Sequence, residues 1–135
     1  MWRFCNILPV TVPKLSSCPI KVGSYEIPAN THVTMSTYSV HMDQAYWGDP
    51  ESFRPERFIS AEGRYQSDER NIPFGIGKRR CAGETVARTE NFLFLANLMK
   101  NFRFGPGLDG RVPELRPLAG LTNGPQPFLT KVTMH

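Results

Sequence analysis

The residues best suited to chemistry are a cysteine and the glycines and cations around it, in a loop at residues 74–83 that reads Phe-Gly-Ile-Gly-Lys-Arg-Arg-Cys-Ala-Gly. The residues that follow the cysteine predict a helix over 82–101, because Glu84 lies in the first turn and an apolar run comes next. A helix N-terminus presents unpaired N–H groups and the positive end of its dipole, which stabilise a thiolate. We therefore predict that Cys81 is a thiolate, the form of cysteine that ligates metals.

The other residues of the loop suit the binding of a flat, acidic group. Gly77 and Gly83 have no side chain, so the backbone can approach a planar ring closely or adopt positive φ. Arg79 supplies a planar cation that pairs bidentately with carboxylates. A macrocycle with carboxylate substituents would meet both features.

Other roles for Cys81 would need different residues around it. A free cysteine is usually a small buried hydrophobe, and a structural or redox cysteine remains the alternative. A phosphatase-like nucleophile needs Cys-x5-Arg, but Arg88 gives Cys-x6-Arg. A structural zinc site needs paired ligands, whereas the other candidate ligands are scattered: Cys5, Cys18, His32 and His41. The two histidines are predicted to be solvated side chains.

The order Phe-x-x-Gly-x-Arg-x-Cys-x-Gly resembles the haem-binding loop of the cytochrome P-450 family. The resemblance implies that Cys81 is the axial thiolate of haem b (iron protoporphyrin IX) and the catalytic residue. It implies that Arg79 contacts a propionate and that Phe74 packs beside the sulfur. Gly77 and Gly83 complete the implied cofactor-binding loop.

A second segment, residues 53–58, matches the family's Pro-Glu-Arg-Phe motif. In the family the arginine of this motif joins a Glu and an Arg from a Glu-x-x-Arg helix in a charged triad. The resemblance assigns these arginine roles to Arg57 and Arg3. The glutamate would fall one position before Met1, so we expect the chain to be part of a longer protein.

Two further positions are implied by the resemblance. Lys14 lies where related microsomal enzymes often place a His or Arg that contacts a haem propionate, so a salt link from Lys14 is a candidate. Leu121, Thr122 and Asn123 fall near the loop that reaches into the family's substrate cavity, with backbone packing as the competing explanation.

The resemblance covers essentially the whole chain and looks closest to family-2-like, microsomal animal enzymes. It implies a mainly α fold with small β-sheets (α+β), in which residues 1–135 are the C-terminal haem-binding part of a single domain whose N-terminal portion is absent. This part of the fold comprises short strands, an irregular meander, the cysteine loop and one long helix.

The implied activity is that of a haem-thiolate monooxygenase, which inserts one oxygen atom from dioxygen into a small lipophilic organic substrate. The implied electron source is NADPH through a cytochrome reductase, with cytochrome b5 as a possible second partner. The implied location is the cytosolic face of the endoplasmic reticulum membrane, held by an absent N-terminal anchor. The alternative is a catalytically inactive truncated chain that keeps only a haem loop or a partner-binding surface.

Composition narrows the classes of function. The 135 residues carry a formal net charge of +4, modest and mixed along the chain, so nucleic acid is not an expected partner. Three cysteines without obvious pairs argue against a disulfide framework. Basic residues cluster around the cysteine loop and could steer an acidic electron donor or simply be solvated: Arg64, Arg70, Lys78, Arg79 and Arg80.

The remaining pattern predicts mostly short elements, as expected from 12 prolines and 11 glycines. The second half of the long helix is apolar nearly all round, which predicts a helix covered on most sides, and Glu84 and Arg88 are spaced for an i,i+4 pair. The other predicted elements are a helix end at 1–4 followed by an extended loop to 19, strands at 21–27 and 31–37, one helix at 38–44, a surface loop at 60–71 and a strand at 128–133.

Overall fold

The computed structural model describes all 135 residues and divides them into two compact units, Met1–Gly75 and Ile76–His135. The first unit contains α1 (Trp2–Cys5), β1 (Lys14–Leu15), β2 (Ile20–Val22), β3 (Tyr25–Ile27), β4 (His32–Val33), α2 (Thr37–His41), α3 (Gln44–Trp47) and a 3-10 turn (Pro55–Phe58). The second contains a 3-10 turn (Gly77–Arg79), α4 (Glu84–Asn101), β5 (Phe102–Pro106) and β6 (Thr130–Met134). The predicted α+β class is confirmed, whereas the assignment of 1–135 to one domain stays a prediction.

The first unit has two small antiparallel sheets, β1 with β4 and β2 with β3. The prediction of one strand over 21–27 is wrong, because the chain reverses between β2 and β3 and pairs Val22 with Tyr25. Gly23 allows this turn with a φ of 59°, a conformation that favours glycine. In the other sheet Lys14 pairs with Val33, so the stretch predicted as an extended loop contributes a strand.

Residues 37–47 form two helices where one was predicted. The Ser36 hydroxyl accepts a hydrogen bond from the Ser39 N–H and caps α2. The Asp43 carboxylate accepts from the Ala45 N–H at 3.0 Å and caps α3. Because an N-cap residue is not helical, Asp43 separates the two helices.

The centre of the first unit is unusually polar. Trp47 is the one large hydrophobic residue that is buried, with 7% of its surface exposed. Its indole N–H donates to the Val40 carbonyl at 2.9 Å. The polar and charged residues buried with it are Arg3, Asn6, Thr37 and His41. Hydrogen bonds to these buried groups therefore contribute much of the stability that apolar packing provides in an ordinary core.

The second unit joins one long helix to a two-stranded antiparallel sheet. β5 pairs with β6 over five residues, from Phe102 opposite Met134 to Pro106 opposite Thr130. Just after β5, Gly107 lies so close to the other side of the hairpin that a Cβ there would be 2.7 Å from the Leu129 Cβ. This closeness predicts that only glycine fits at 107.

The helix α4 is exposed where the sequence predicted a covered helix. Phe92 and Phe94 are each 71% exposed, and β5, which follows α4 directly, is the element of the second unit that contacts it most. The prediction from Glu84 and Arg88 is confirmed by an ion pair of 2.9 Å between them. No helix of the chain combines the length and apolar character needed to cross a lipid bilayer.

Candidate functional site

Cys81 lies at the entrance to α4, as its sequence context predicted. Its thiol is free and exposed, and its carbonyl accepts a hydrogen bond of 3.4 Å from the Glu84 N–H. No side chain caps the helix, because Gly83 occupies the N-cap position. No side chain therefore competes with an anion at this helix end, and the positive end of the helix dipole favours a thiolate there.

Two glycines shape the loop around Cys81. A Cβ at Gly83 would lie 3.8 Å from the Cys81 sulfur, an ordinary van der Waals contact, so Gly83 is directly beside the sulfur. Gly77 has a φ of 69° and begins the 3-10 turn that ends at Arg79. The structure therefore brings Gly77, Arg79, Cys81 and Gly83 into successive turns of the second unit, while their roles toward a cofactor stay predictions.

Two other predicted cofactor contacts lie in the first unit. The Phe74 ring packs edge-on against Trp2, with ring centroids 4.8 Å apart. Lys14 is a half-buried residue of β1. Their predicted roles beside the sulfur and at a propionate remain predictions.

Arg57 binds the irregular turn that follows α3. Its guanidinium donates to the carbonyls of Trp47 at 2.8 Å and Asp49 at 2.7 Å, and also to the Asp49 carboxylate. The hydrogen bond from Arg57 to the Asp49 carboxylate holds the pKa of that carboxyl below its usual value. The Nε of Arg57 is buried and has no hydrogen-bond partner in the chain.

Arg3 approaches the same turn and is itself only 3% exposed. It donates to the carbonyls of His41 at 2.6 Å and Pro50 at 2.8 Å, and its guanidinium lies 4.9 Å from the Trp47 ring centroid. Burial lowers the pKa of Arg3, and the nearby charge of Arg57 adds to this effect. Arg3 and Arg57 are thus close enough to interact, although the triad predicted for them needs a glutamate that these contacts do not include.

The prediction that His41 is solvated is wrong. Its side chain is 0% exposed, with Nδ1 3.2 Å from the Asn6 Oδ1 and Nε2 accepting from the Ile72 N–H at 3.0 Å. Burial, and after it the charge of Arg3, lower the pKa of His41 to about 4. The partners come from distant parts of the sequence, so the local pattern around His41 gave no sign of them.

The predicted substrate loop is a tight, exposed excursion of the second unit. Leu118 and Gly124 exchange two backbone hydrogen bonds of 2.8 and 3.2 Å and close the loop. Leu121 at its tip is 88% exposed. The assignment of Leu121, Thr122 and Asn123 to substrate binding remains a prediction.

One member of the predicted basic cluster is engaged within its own unit. Arg70 forms a 2.9 Å ion pair with Asp43, and its guanidinium lies 4.0 Å from the Tyr46 ring centroid. The Tyr46 hydroxyl donates to Asp68 at 3.0 Å, which raises the pKa of that tyrosine. These contacts tie the segment that precedes the cysteine loop to α3.

A family model described as "Cytochrome P450" matches residues 1–132. The chain belongs to the cytochrome P450 family. Human cytochrome P450 2U1 is 40% identical over 126 residues, which cover 93% of this chain and 23% of that protein. The farnesoate epoxidase of Bombyx mori is 39% identical over 126 residues, which cover 93% of this chain and 25% of that protein. The predicted likeness to family-2-like animal enzymes is confirmed.

A solved structure gives the same result for the fold. A zebra fish cytochrome P450 with abiraterone superposes with a TM-score of 0.87 at 29% identity, covering 99% of this chain and 30% of that one. The chain therefore has part of the cytochrome P450 fold. It spans about a quarter of the length of the curated relatives that it matches.

The donor groups of this cytochrome P450 chain fit haem, the group that the family implies. No cluster of three or more His, Cys, Asp or Glu side chains could hold a bare metal ion. A single exposed thiol suits an iron whose other ligands come from a macrocycle. Gly83, which places no side chain beside the sulfur, and the helix end, which favours an anion, fit the same group.

Proposed function

We propose that this chain is the haem-binding part of a cytochrome P450 monooxygenase and that Cys81 is the axial thiolate ligand. The observation that supports this proposal is the exposed Cys81 thiol at the side-chain-uncapped N-terminus of α4, with Gly83 beside the sulfur. The relative from Bombyx mori is a farnesoate epoxidase, which also supports oxygen transfer. Haem b, when bound, supplies the iron at which dioxygen is activated and one oxygen atom passes to an organic substrate.

The chain's own residues bind and orient the group. The N-terminus of α4 keeps Cys81 in the thiolate form, and Gly77 and Gly83 let the loop backbone approach the ring. Arg79 pairs with one propionate, Lys14 is the candidate for a second salt link, and Phe74 covers the sulfur side. Arg3 and Arg57 act at a distance from the haem by fixing the turn at residues 47–50.

The electrons come from NADPH through a cytochrome reductase, with cytochrome b5 as a further donor, at the cytosolic face of the endoplasmic reticulum. Lys78 and Arg80 are exposed cations beside Cys81 in the sequence and are suited to an acidic donor. The substrate is a small lipophilic molecule, and Leu121, Thr122 and Asn123 contribute to its cavity.

The ligand assignment is tested by replacing the cysteine. In the haem-loaded protein, Cys81→Ser should abolish the red-shifted Soret band of the ferrous carbon monoxide complex, because that band requires thiolate ligation. Cys18→Ser is the matched control, since Cys18 is also a free, exposed cysteine, and it should keep the band. A band that survives in Cys81→Ser would contradict the proposal.

The second candidate is a chain that holds a haem loop without catalysing oxidation. The exposed aromatic side chains of α4 favour it, because a site that excludes water from a haem needs apolar cover of this kind. Haem titration of the 135-residue chain answers part of this question. Tight, stoichiometric binding with a thiolate spectrum supports an autonomous haem-binding module, and weak, histidine-like binding supports a chain that does not form the haem site by itself.

A further inference from the structure

The hydrogen bonds of His41 fix its protonation state and its tautomer. The Ile72 N–H can only donate, so the His41 Nε2 that lies 3.0 Å from it must be the acceptor. The ring proton is then on Nδ1, where it is donated to the Asn6 Oδ1 at 3.2 Å. His41 is therefore a neutral imidazole with both nitrogens bound, and its side chain has no exposed surface.

The amide that His41 binds lies on the segment leading into the cysteine loop. Ile72 is nine positions before Cys81 and two before Phe74. Side-chain contacts also tie residues 68–74 to α3: the part-buried ion pair of Arg70 with Asp43 and the exposed hydrogen bond of Tyr46. The bond from the Ile72 N–H is part-buried too, but its acceptor is the fully buried His41 ring. An ion pair with solvent-accessible side chains contributes about 0–1 kcal/mol, whereas leaving a buried polar atom such as the His41 Nε2 without its partner costs about 1–3 kcal/mol. We therefore expect the bond from Ile72 to His41 to be the strongest of these anchors.

We propose that His41 is a positioning residue for the haem-thiolate loop: as a neutral imidazole it holds the Ile72 amide and so fixes the start of the segment that carries Cys81. This inference rests on the proposed function of Cys81 as the iron ligand. His41 touches neither haem nor substrate and acts through the backbone.

Protonation of His41 removes the anchor. A proton on Nε2 turns the acceptor into a donor that faces the Ile72 N–H, and the new charge lies near Arg3, which already donates to the His41 carbonyl. The charged groups on the elements around His41 are Arg3 on α1, Asp43 at the cap of α3, and Asp68, Glu69 and Arg70 on the following segment. Asp43 is paired with Arg70, so no carboxylate is bound to the ring to offset its charge.

Two substitutions distinguish positioning from simple space filling. In His41→Gln the side-chain oxygen can reach the place of Nε2 and accept from the Ile72 N–H, whereas the shorter His41→Asn reaches only the place of Nδ1. We expect hydrogen exchange of the Ile72 amide in the haem-free protein to be about tenfold faster in His41→Asn and close to wild type in His41→Gln. Tyr46→Phe, which removes the Asp68 contact of the same segment, should leave the Ile72 amide protected.

The haem-loaded protein gives the second measurement. His41→Gln should keep the red-shifted Soret band of the ferrous carbon monoxide complex, and His41→Asn should lose it. On acidification wild type should lose the band at a higher pH than His41→Gln, which has no imidazole to protonate. Equal behaviour of the Gln and Asn variants in both measurements would overturn the inference.

The outcomes also separate this inference from the ligand assignment. If the wild-type protein itself lacks the red-shifted band, the assignment of Cys81 as the ligand fails. Hydrogen exchange of the Ile72 amide still tests whether His41 binds that amide. If wild type has the band and His41→Asn keeps it, the inference fails while the ligand assignment stands. If a variant does not fold, the test is hydrogen exchange of the Ile72 amide in the wild-type protein. Exchange as fast as that of an exposed amide would overturn the inference.

Discussion

The guanidinium groups of Arg3 and Arg57 bind carbonyls of the same four-residue turn, Arg3 that of Pro50 and Arg57 those of Trp47 and Asp49. The helix α3 ends at Trp47, so the carbonyls that follow lack the donors of a continuing helix, and these two cations supply donors in their place. Burial of the Arg3 guanidinium and its closeness to the like charge of Arg57 both cost free energy in the folded state.

Arg57 should contribute far more to stability than Arg54, although both bind the Asp49 carboxylate. The Arg57 side chain is 10% exposed and that of Arg54 is 55% exposed. We expect Arg57→Ala to lower the free energy of unfolding by about 3 kcal/mol, because it removes the donors to the Trp47 and Asp49 carbonyls and the ion pair of a nearly buried cation. Arg54→Ala should cost about 0–1 kcal/mol. Denaturant unfolding of both variants measures the difference, and equal losses would contradict this reading of the turn.

Gly107 should tolerate no side chain, whereas Gly105 should. A Cβ at 107 would lie 2.7 Å from the Leu129 Cβ and 2.9 Å from its carbonyl oxygen, while a Cβ at 105 meets nothing within 4 Å. Gly107→Ala is expected to lower the unfolding free energy by about 1–3 kcal/mol through overpacking, and Gly105→Ala by less than about 0.5 kcal/mol. Thermal unfolding of the pair tests this, and a Gly107→Ala variant as stable as Gly105→Ala would show that Leu129 can move.

The stability of the first unit should fall between about pH 6.5 and pH 4. Burial lowers the pKa of His41 from 6.5 to about 4, so in this window the unfolded chain binds a proton that the folded chain does not. The loss begins below pH 6.5, grows as pH falls and levels off below pH 4, where it reaches about 3 kcal/mol. The lowered pKa of Asp49 also makes acid destabilising, but its effect begins only near its ordinary value of 3.8.

Denaturant unfolding at a series of pH values measures this loss. His41→Gln should remove the slope between pH 6.5 and 4. His32→Gln, a change at an exposed position of β4, should retain it. If the two variants keep the same slope, His41 is not its source.

The sequence allowed the local features around the cysteine to be predicted. Cys81 ahead of a long helix and the Glu84 to Arg88 pair follow from residues that are neighbours along one helix. The turn at Gly23 could also have been predicted, because a Gly-Ser pair lies between strand-favouring residues. Assigning the whole stretch to one strand overlooked this pattern.

Contacts between distant residues could not be predicted in the same way. His41 is bound by Asn6 and Ile72, which lie 35 and 31 positions away, and a five-residue helix is too short for its period to reveal a buried face. The apolar character of α4 predicted a covered helix but contained no information about which element would cover it. In the structure Phe92 and Phe94 are exposed.

The polar centre of the first unit also sets how its stability changes with temperature. With Trp47 as its one buried large hydrophobic side chain, unfolding exposes little new apolar surface. The heat-capacity change on unfolding of this unit should therefore fall below the usual value of about 12–15 cal/mol/K per residue. Its stability curve should be correspondingly flat, with a shallow dependence on urea and little tendency to unfold in the cold.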